Sequence, residues 1–234
     1  MRKPAVLAVF LALCAAAPAR AQATAAQVAA QARDRWEQRL RDVRSFTLVE
    51  QAMGTELTVY AERTPAGGWR ARAWSRGADG RLRAAPSTAA PLPAELLRVF
   101  RDYGPRFRLD GTETVDGRPA YLLSLEGEGA VADLVPGLAV GGSAAERRGA
   151  RARYWLDTAT LAPLRVELTM GGSGRGTPLK VVFTFSDYRE TAGLLLPYRV
   201  TLAPDGGPES GAMSVAIREV KVNTPPPAGA PAAR

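Results

Sequence analysis

Glu113, Asp116, Asp157, Glu167 and Asp187 are the candidates for acid–base chemistry in a sequence that contains no histidine. A facing pair of carboxylates can divide the work of acid and base, as in glycoside hydrolysis. Ser-His-Asp catalysis, Cys-His catalysis and histidine-based zinc sites are excluded by composition. The single cysteine, Cys14, lies in the N-terminal apolar segment. Asp116, Asp157 and Asp187 fall in turn-forming stretches, where an aspartate more often braces its own backbone. No spacing sets any two of the five acids opposite each other. "GGSGRG", Gly171 to Gly176, lacks the lysine-serine ending of a phosphate loop and reads as a hairpin tip. The residues therefore point away from an enzyme and towards binding.

The elements that must position these side chains are mostly strands. Alternation and β-branched or aromatic content predict strands over Ser45–Gln51, Thr55–Glu62 and Gly68–Ser75, with a fourth at Arg81–Ala84. Further strands are expected at Arg106–Thr114, Arg118–Glu126, Arg151–Asp157, Pro163–Met170, Pro178–Asp187, Leu195–Leu202 and Ala212–Val222. Tyr121, Leu123 and Leu125 alternate with Ser124 and Glu126. Leu164, Val166, Leu168 and Met170 alternate with Arg165, Glu167 and Thr169. Val181, Phe183 and Phe185 alternate with Thr184 and Ser186. One face of each strand is thus meant to be dry. Tyr188 to Gly193 reads as turn, and Pro197 marks a strand that is interrupted, bulged or at an edge.

Two helices accompany the strands. Val28, Ala32, Trp36, Leu40 and Val43 form one apolar stripe over Gln27–Val43, while Glu37 and Arg41 have ion-pair spacing on another side. "PAELLRVFRDYGP" gives a second helix, with Pro93 at a first-turn position and Leu96, Leu97, Phe100 and Tyr103 on its apolar face. Gly104 is expected in a left-handed stop, with Pro105 blocking continuation. Gly129 to Gly142 is an apolar, glycine-flanked insert, either a buried connection or a flap.

The N-terminus reads as an export signal. Arg2 and Lys3 precede an apolar run from Ala5 to Ala17, and Ala19-Arg20-Ala21 suits cleavage. Residues 1–21 are expected to be removed, which takes the formal charge from +8 to +5 as Arg2, Lys3 and Arg20 leave. Leu13 before Cys14 is a poor lipidation context. The mature chain then holds itself together without disulfides, by core packing. Its basic residues are almost all arginine, which suits a solvated surface or contact with anionic lipid, with no dense basic cluster of the kind that binds nucleic acid. Residues 22–223 read as one domain. Residues 224–234, rich in proline and alanine, read as a disordered tail.

The segments "VDGRPAYLLSL", "ARYWLDTATLAPLRVEL" and "FSDYRETAGLLLPYRV", in this order of elements, resemble the LolA/LolB-like lipoprotein-carrier superfamily, over roughly Gln27 to Val222. The resemblance implies a mainly β fold: an unclosed antiparallel half β-barrel of about eleven strands, its apolar face covered by helices. It implies a periplasmic, monomeric carrier for a lipid or acylated lipoprotein in outer-membrane transport. No cofactor, metal or catalytic residue is implied. Envelope membrane proteins would be its partners, or the same sheet would serve a sensor or scaffold. The expected lipid-binding wall comprises Val59, Tyr121, Leu123, Leu156, Val166, Leu168, Phe183, Phe185 and Val200, with Trp36, Leu97 and Phe100 from the helices. Each methylene sheltered there is worth about 0.8 kcal/mol.

Overall fold

The computed structural model describes residues 23–85, 93–127, 149–170, 178–204 and 211–230. The expected signal segment with Cys14, the Gly129–Gly142 insert, "GGSGRG" and the last residues of the tail lie outside these. Residues 224–230 are described and carry no regular secondary structure.

Helix α1 spans Ala25–Leu40. It begins two residues before the expected start because Thr24 and Gln27 form a reciprocal capping box: the Gln27 amide donates to Thr24 Oγ1 and the Thr24 amide to Gln27 Oε1. It ends at Leu40, where tightened bonds from the Arg41 and Val43 amides to Gln38 and Leu40 close the last turn. The stripe Val28, Ala32, Trp36, Leu40 and Val43 is buried throughout. Glu37 and Arg41 form no ion pair; instead Arg33 binds Asp34 at 2.7 Å.

Eleven strands follow: β1 (Ser45–Ala52), β2 (Thr55–Arg63), β3 (Trp69–Arg76), β4 (Leu82–Ala85), β5 (Arg108–Val115), β6 (Arg118–Glu126), β7 (Arg151–Asp157), β8 (Pro163–Met170), β9 (Leu179–Thr191), β10 (Leu194–Pro204) and β11 (Met213–Val222). They make one antiparallel sheet in the order β4-β3-β2-β1-β11-β10-β9-β8-β7-β6-β5. The last strand pairs with the first, so the chain's two halves close on each other through β1 and β11. The free edges are β4 and β5, and the segment joining them contains helix α2, Pro93–Tyr103. The sheet is unclosed, as the resemblance implied.

Three local expectations need correcting. Gly104 is not left-handed; Gly104–Arg106 continue α2 as one 3-10 turn, with Pro105 accommodated near its start. Tyr188 to Thr191 is not turn but the end of β9, and the reversal is confined to Ala192 and Gly193, at φ +50° and +82°. The β9–β10 ladder keeps a single register on both sides of Asp187, from Leu194–Thr191 to Pro204–Val181, although Asp187 itself takes φ +54°. Strand β11 pairs with β10 only from Arg199 onward, so Pro197 lies at a locally free edge where no second donor is required. Finally, Leu164 does not share a face with Val166. The register slips between Trp155 and Leu156, which sends Leu164 to the outer face.

Apart from that shift, the alternation sorts side chains as expected. One face of the sheet packs against both helices. Towards β6–β9 this core joins Val28, Ala29 and Ala32 of α1 and Leu96, Val99 and Phe100 of α2 to Leu123, Tyr154, Leu168 and Phe183. Towards β1–β3 a second core joins Leu40 and Val43 to Phe46, Leu48, Val59 and Ala61. A third, small cluster lies on the opposite, outer face: Ala120, Leu122, Trp155 and Leu164.

Candidate functional site

The expected wall residues divide between the two helix-facing cores. Phe100, Leu123, Leu156, Val166, Leu168, Phe183, Phe185 and Val200 belong to the larger one, with Tyr121 packed against it. Val59 belongs to the second core, and Leu97 packs against that core. Trp36 is 1% exposed. Register explains the grouping. Val166 pairs with Phe183, Phe183 with Leu202, and Phe185 with Val200, so these side chains line up across β8, β9 and β10 on one face. Phe100 of α2 lies 5.9 Å, ring to ring, from Tyr154 and 5.6 Å from Phe107. In this conformation the wall residues are packed on one another and on the helices.

Two polar atoms in this apolar region stand out. Tyr154 is fully buried, and its hydroxyl has no hydrogen-bond partner among the described residues. Burial, with a smaller contribution from Tyr103, drives its phenol well above the usual tyrosine range, so it stays protonated and a donor. The Trp36 indole N–H is likewise buried without a partner. An unsatisfied buried donor costs roughly 1–3 kcal/mol. Neither residue type announced this in the sequence, because the want of a partner depends on what packs around it. Glu50 was also missed. It is fully buried on the helix-covered face of β1, between Leu48 of one core and Ala52 of the other.

Four of the five acids are engaged in hydrogen bonds or ion pairs within the fold. Asp157 accepts from the Thr160 amide at 2.7 Å, the Thr160 hydroxyl at 2.8 Å and the Ala159 amide at 3.1 Å, and pairs with Arg118 at 2.8 Å. Burial raises its proton affinity, but the Thr160 hydroxyl and amide, Arg118 and the Ala159 amide together hold it below the ordinary aspartate value. Glu113 accepts from Trp155 Nε1 at 2.7 Å. Glu167 sits between Arg165 at 3.2 Å and Lys180 at 3.1 Å. Asp187 binds Arg189 at 2.7 Å. Asp116 occupies a φ +48° turn position between β5 and β6. None of these ion pairs or hydrogen bonds joins two of the five acids. Among the described residues no cluster of histidine, cysteine, aspartate and glutamate could hold a metal.

A groove of about 490 Å³ opens elsewhere, between the last turns of α1 and the β9–β10 tip, and none of the expected wall residues lines it. Its rim carries Arg35, Gln38 and Arg39 from α1, Asp42, and Glu190 from β9. Arg35 Nη1 donates to the Ala159 carbonyl, and Arg39 Nη2 donates to the Thr160 carbonyl at 3.3 Å. The turn that Asp157 braces thus holds the outer side of α1. No sequence signal links α1 to a turn more than a hundred residues away. No helix among the described residues is long and apolar enough to cross a membrane.

No family model matches the chain, and no curated protein sequence is significantly similar to it. Solved structures do resemble it. A domain from Vibrio parahaemolyticus, assigned provisionally to outer-membrane lipoprotein sorting, aligns over 84% of this chain and 94% of its own, at 12% identity and TM-score 0.47. A DUF1329 family protein from Desulfovibrio piger aligns over 86% and 94%, at 13% identity and TM-score 0.48. The Mycobacterium tuberculosis lipoprotein LppX aligns over 85% and 96%, at 11% identity and TM-score 0.29. The fold rests on the strand order itself: one unclosed, eleven-stranded antiparallel sheet with two helices on one face, the arrangement that the resemblance to LolA/LolB-like carriers implied.

Proposed function

We propose that this protein is a non-enzymatic carrier of the cell envelope, exported to the periplasm, that shelters the acyl chains of a lipid or lipoprotein against its helix-covered face. The supporting observation is Tyr154. A phenol buried among Phe100, Phe107 and the β-sheet core, with no acceptor among the described residues, is a poor feature of a finished core. It suits a face that also receives a ligand carrying an ester or carboxyl oxygen. The helices meet that face through side chains, and no ladder bond joins either helix to a strand, so they can move without breaking the sheet. Acyl chains gain from burial there: about fourteen methylenes at about 0.8 kcal/mol each give an upper bound near 11 kcal/mol.

The test is titration of the mature protein with a fluorescent fatty acid. The native protein binds saturably, and Phe183→Asp or Leu168→Asp abolishes binding while far-ultraviolet circular dichroism is retained. Native mass spectrometry of protein taken from an envelope fraction then shows co-purified lipid. If the unmodified protein binds no acyl probe and both variants unfold, those side chains are ordinary core. A scaffold that binds a protein partner through the same sheet then replaces the carrier.

A further inference from the structure

We propose that the groove between α1 and the β9–β10 tip binds a zwitterionic phosphodiester, its phosphate held by Arg35 and Arg39 and its ammonium group facing Glu190. Arg35 and Arg39 stand one helical turn apart on the same side of α1, and both line the groove. Their resolved acceptors are the neutral carbonyls of Ala159 and Thr160. Neither lies within salt-bridge distance of a carboxylate among the described residues, unlike Arg72, Arg118 or Arg151, which pair with Glu62, Asp157 and Glu126 at 2.9, 2.8 and 2.6 Å. Two positive charges are therefore held close with no anion on either.

Arg39 carries an unused donor. Its Nη1 is buried and has no hydrogen-bond partner among the described residues. Its guanidinium carbon lies 5.2 Å from the centre of the Trp36 ring, and its Nη2 is tied to Thr160, so the fork is already oriented. Burial and the neighbouring Arg35 lower its proton affinity, and the attraction of Glu190 is the weaker influence. An incoming oxyanion would relieve that repulsion and take up the free N–H. Guanidinium pairs suit phosphate because the planar fork offers parallel donors.

The acidic residues narrow the ligand class. Glu190 and Asp42 line the same groove and oppose a compact dianion. They suit a monoanionic phosphodiester that carries its own cation. Val43 and Val222 supply apolar contact for the linking carbons. This groove is separate from the expected acyl wall, and the inference does not depend on that wall taking an acyl chain.

Calorimetry with three probes tests it: soluble glycerophosphoethanolamine, inorganic phosphate, and vesicles containing phosphatidylethanolamine in a neutral carrier lipid. Glycerophosphoethanolamine should bind saturably and more tightly than inorganic phosphate. Arg39→Gln should weaken it about tenfold or more, the scale of one charge-assisted hydrogen bond lost. Arg35→Gln should act in the same direction without touching the Trp36 stack. Glu190→Gln should reverse the preference, weakening the zwitterion and strengthening inorganic phosphate. That reversal cannot come from a merely structural role. Binding to the vesicles as well assigns a lipid headgroup; binding to the soluble diester alone assigns a free small molecule. No binding of any probe, equal or tighter binding of inorganic phosphate, or affinities untouched by both arginine substitutions would overturn the proposal.

Discussion

Tyr154 and Trp155 are consecutive residues of β7 that look to opposite faces of the sheet, and their surroundings differ in kind. Trp155 is 5% exposed, yet its indole donates to Glu113 at 2.7 Å and the Arg165 guanidinium lies 4.9 Å from its ring. Arg165 in turn binds Glu167. Around it, Ala120, Leu122 and Leu164 complete a small apolar patch, and Tyr188 closes the side by donating to the Pro163 carbonyl. On the helix-covered face, Tyr154 lies deeper, in a far larger core, and its hydroxyl is left over. On the outer face the Trp155 indole and the Tyr188 hydroxyl both find acceptors, although Arg165 Nε has none among the described residues; on the inner face the Tyr154 hydroxyl has none. The comparison sets a paired aromatic side chain against an unpaired one within one strand.

The outer cluster should be costly to disturb and irrelevant to ligand. Trp155→Ala removes the buried ring and strands Glu113; it should destabilise by about 3–5 kcal/mol in denaturant unfolding. Acyl-probe affinity per folded molecule should not change. A variant of native stability, or one that loses the probe while folded, breaks the division between the faces.

Glu113→Leu should cost less, about 1–3 kcal/mol, because it leaves the Trp155 N–H buried without its acceptor. Trp155→Phe on top of Glu113→Leu should restore part of the loss, since both ends of the bond are then apolar. If the second change brings no recovery, the Trp155–Glu113 bond is not what finishes this cluster.

Asp157 links the two regions, because the turn it braces accepts from Arg35 and Arg39 of α1. Its folded-state proton affinity lies below the ordinary value, so the stability it contributes is full above the unfolded aspartate pKa of about 3.9. That contribution is lost as pH falls from there through its lowered folded value. Asp157→Asn should therefore cost on the order of 1–2 kcal/mol at neutral pH and show a shallower acid limb below about pH 4. Unfolding midpoints measured from pH 7 to pH 3 decide it; parallel curves for the two proteins would remove Asp157 from the account.

Much of this architecture could be read from alternation. The bounds of β6, β7 and β8 match the expected spans residue for residue, because strict two-residue periodicity between turn formers leaves little freedom. The reading failed elsewhere. Leu164 changed faces because of a register slip, and Tyr188–Thr191, polar enough to read as turn, continues β9 in unbroken register with β10 past the left-handed Asp187. The candidate site was legible only as a set of apolar residues. What distinguishes it is the phenol without an acceptor at Tyr154 and the arginines of α1 held by a distant turn. Both are products of packing between parts remote in sequence, and local pattern carries no trace of them.

The smallest change gives the finest test of the comparison. Tyr154→Phe deletes only the hydroxyl that has no partner among the described residues. In a finished core such a deletion costs stability, because a hydrogen bond worth about 1 kcal/mol is lost. Here the ligand-free protein should hold its stability or gain up to about 1 kcal/mol, since an unsatisfied polar atom has been removed. Its effect should surface only with ligand. A monoacylglycerol offers an ester oxygen; a hydrocarbon of the same chain length does not. The variant should bind the ester about fivefold more weakly, the scale of one modest hydrogen bond, and the hydrocarbon unchanged. Loss of stability without ligand would mean the phenol already has its acceptor. Equal affinity for both ligands in the native protein would mean that no ligand oxygen reaches it, and the inner face would then be as closed to function as the outer one.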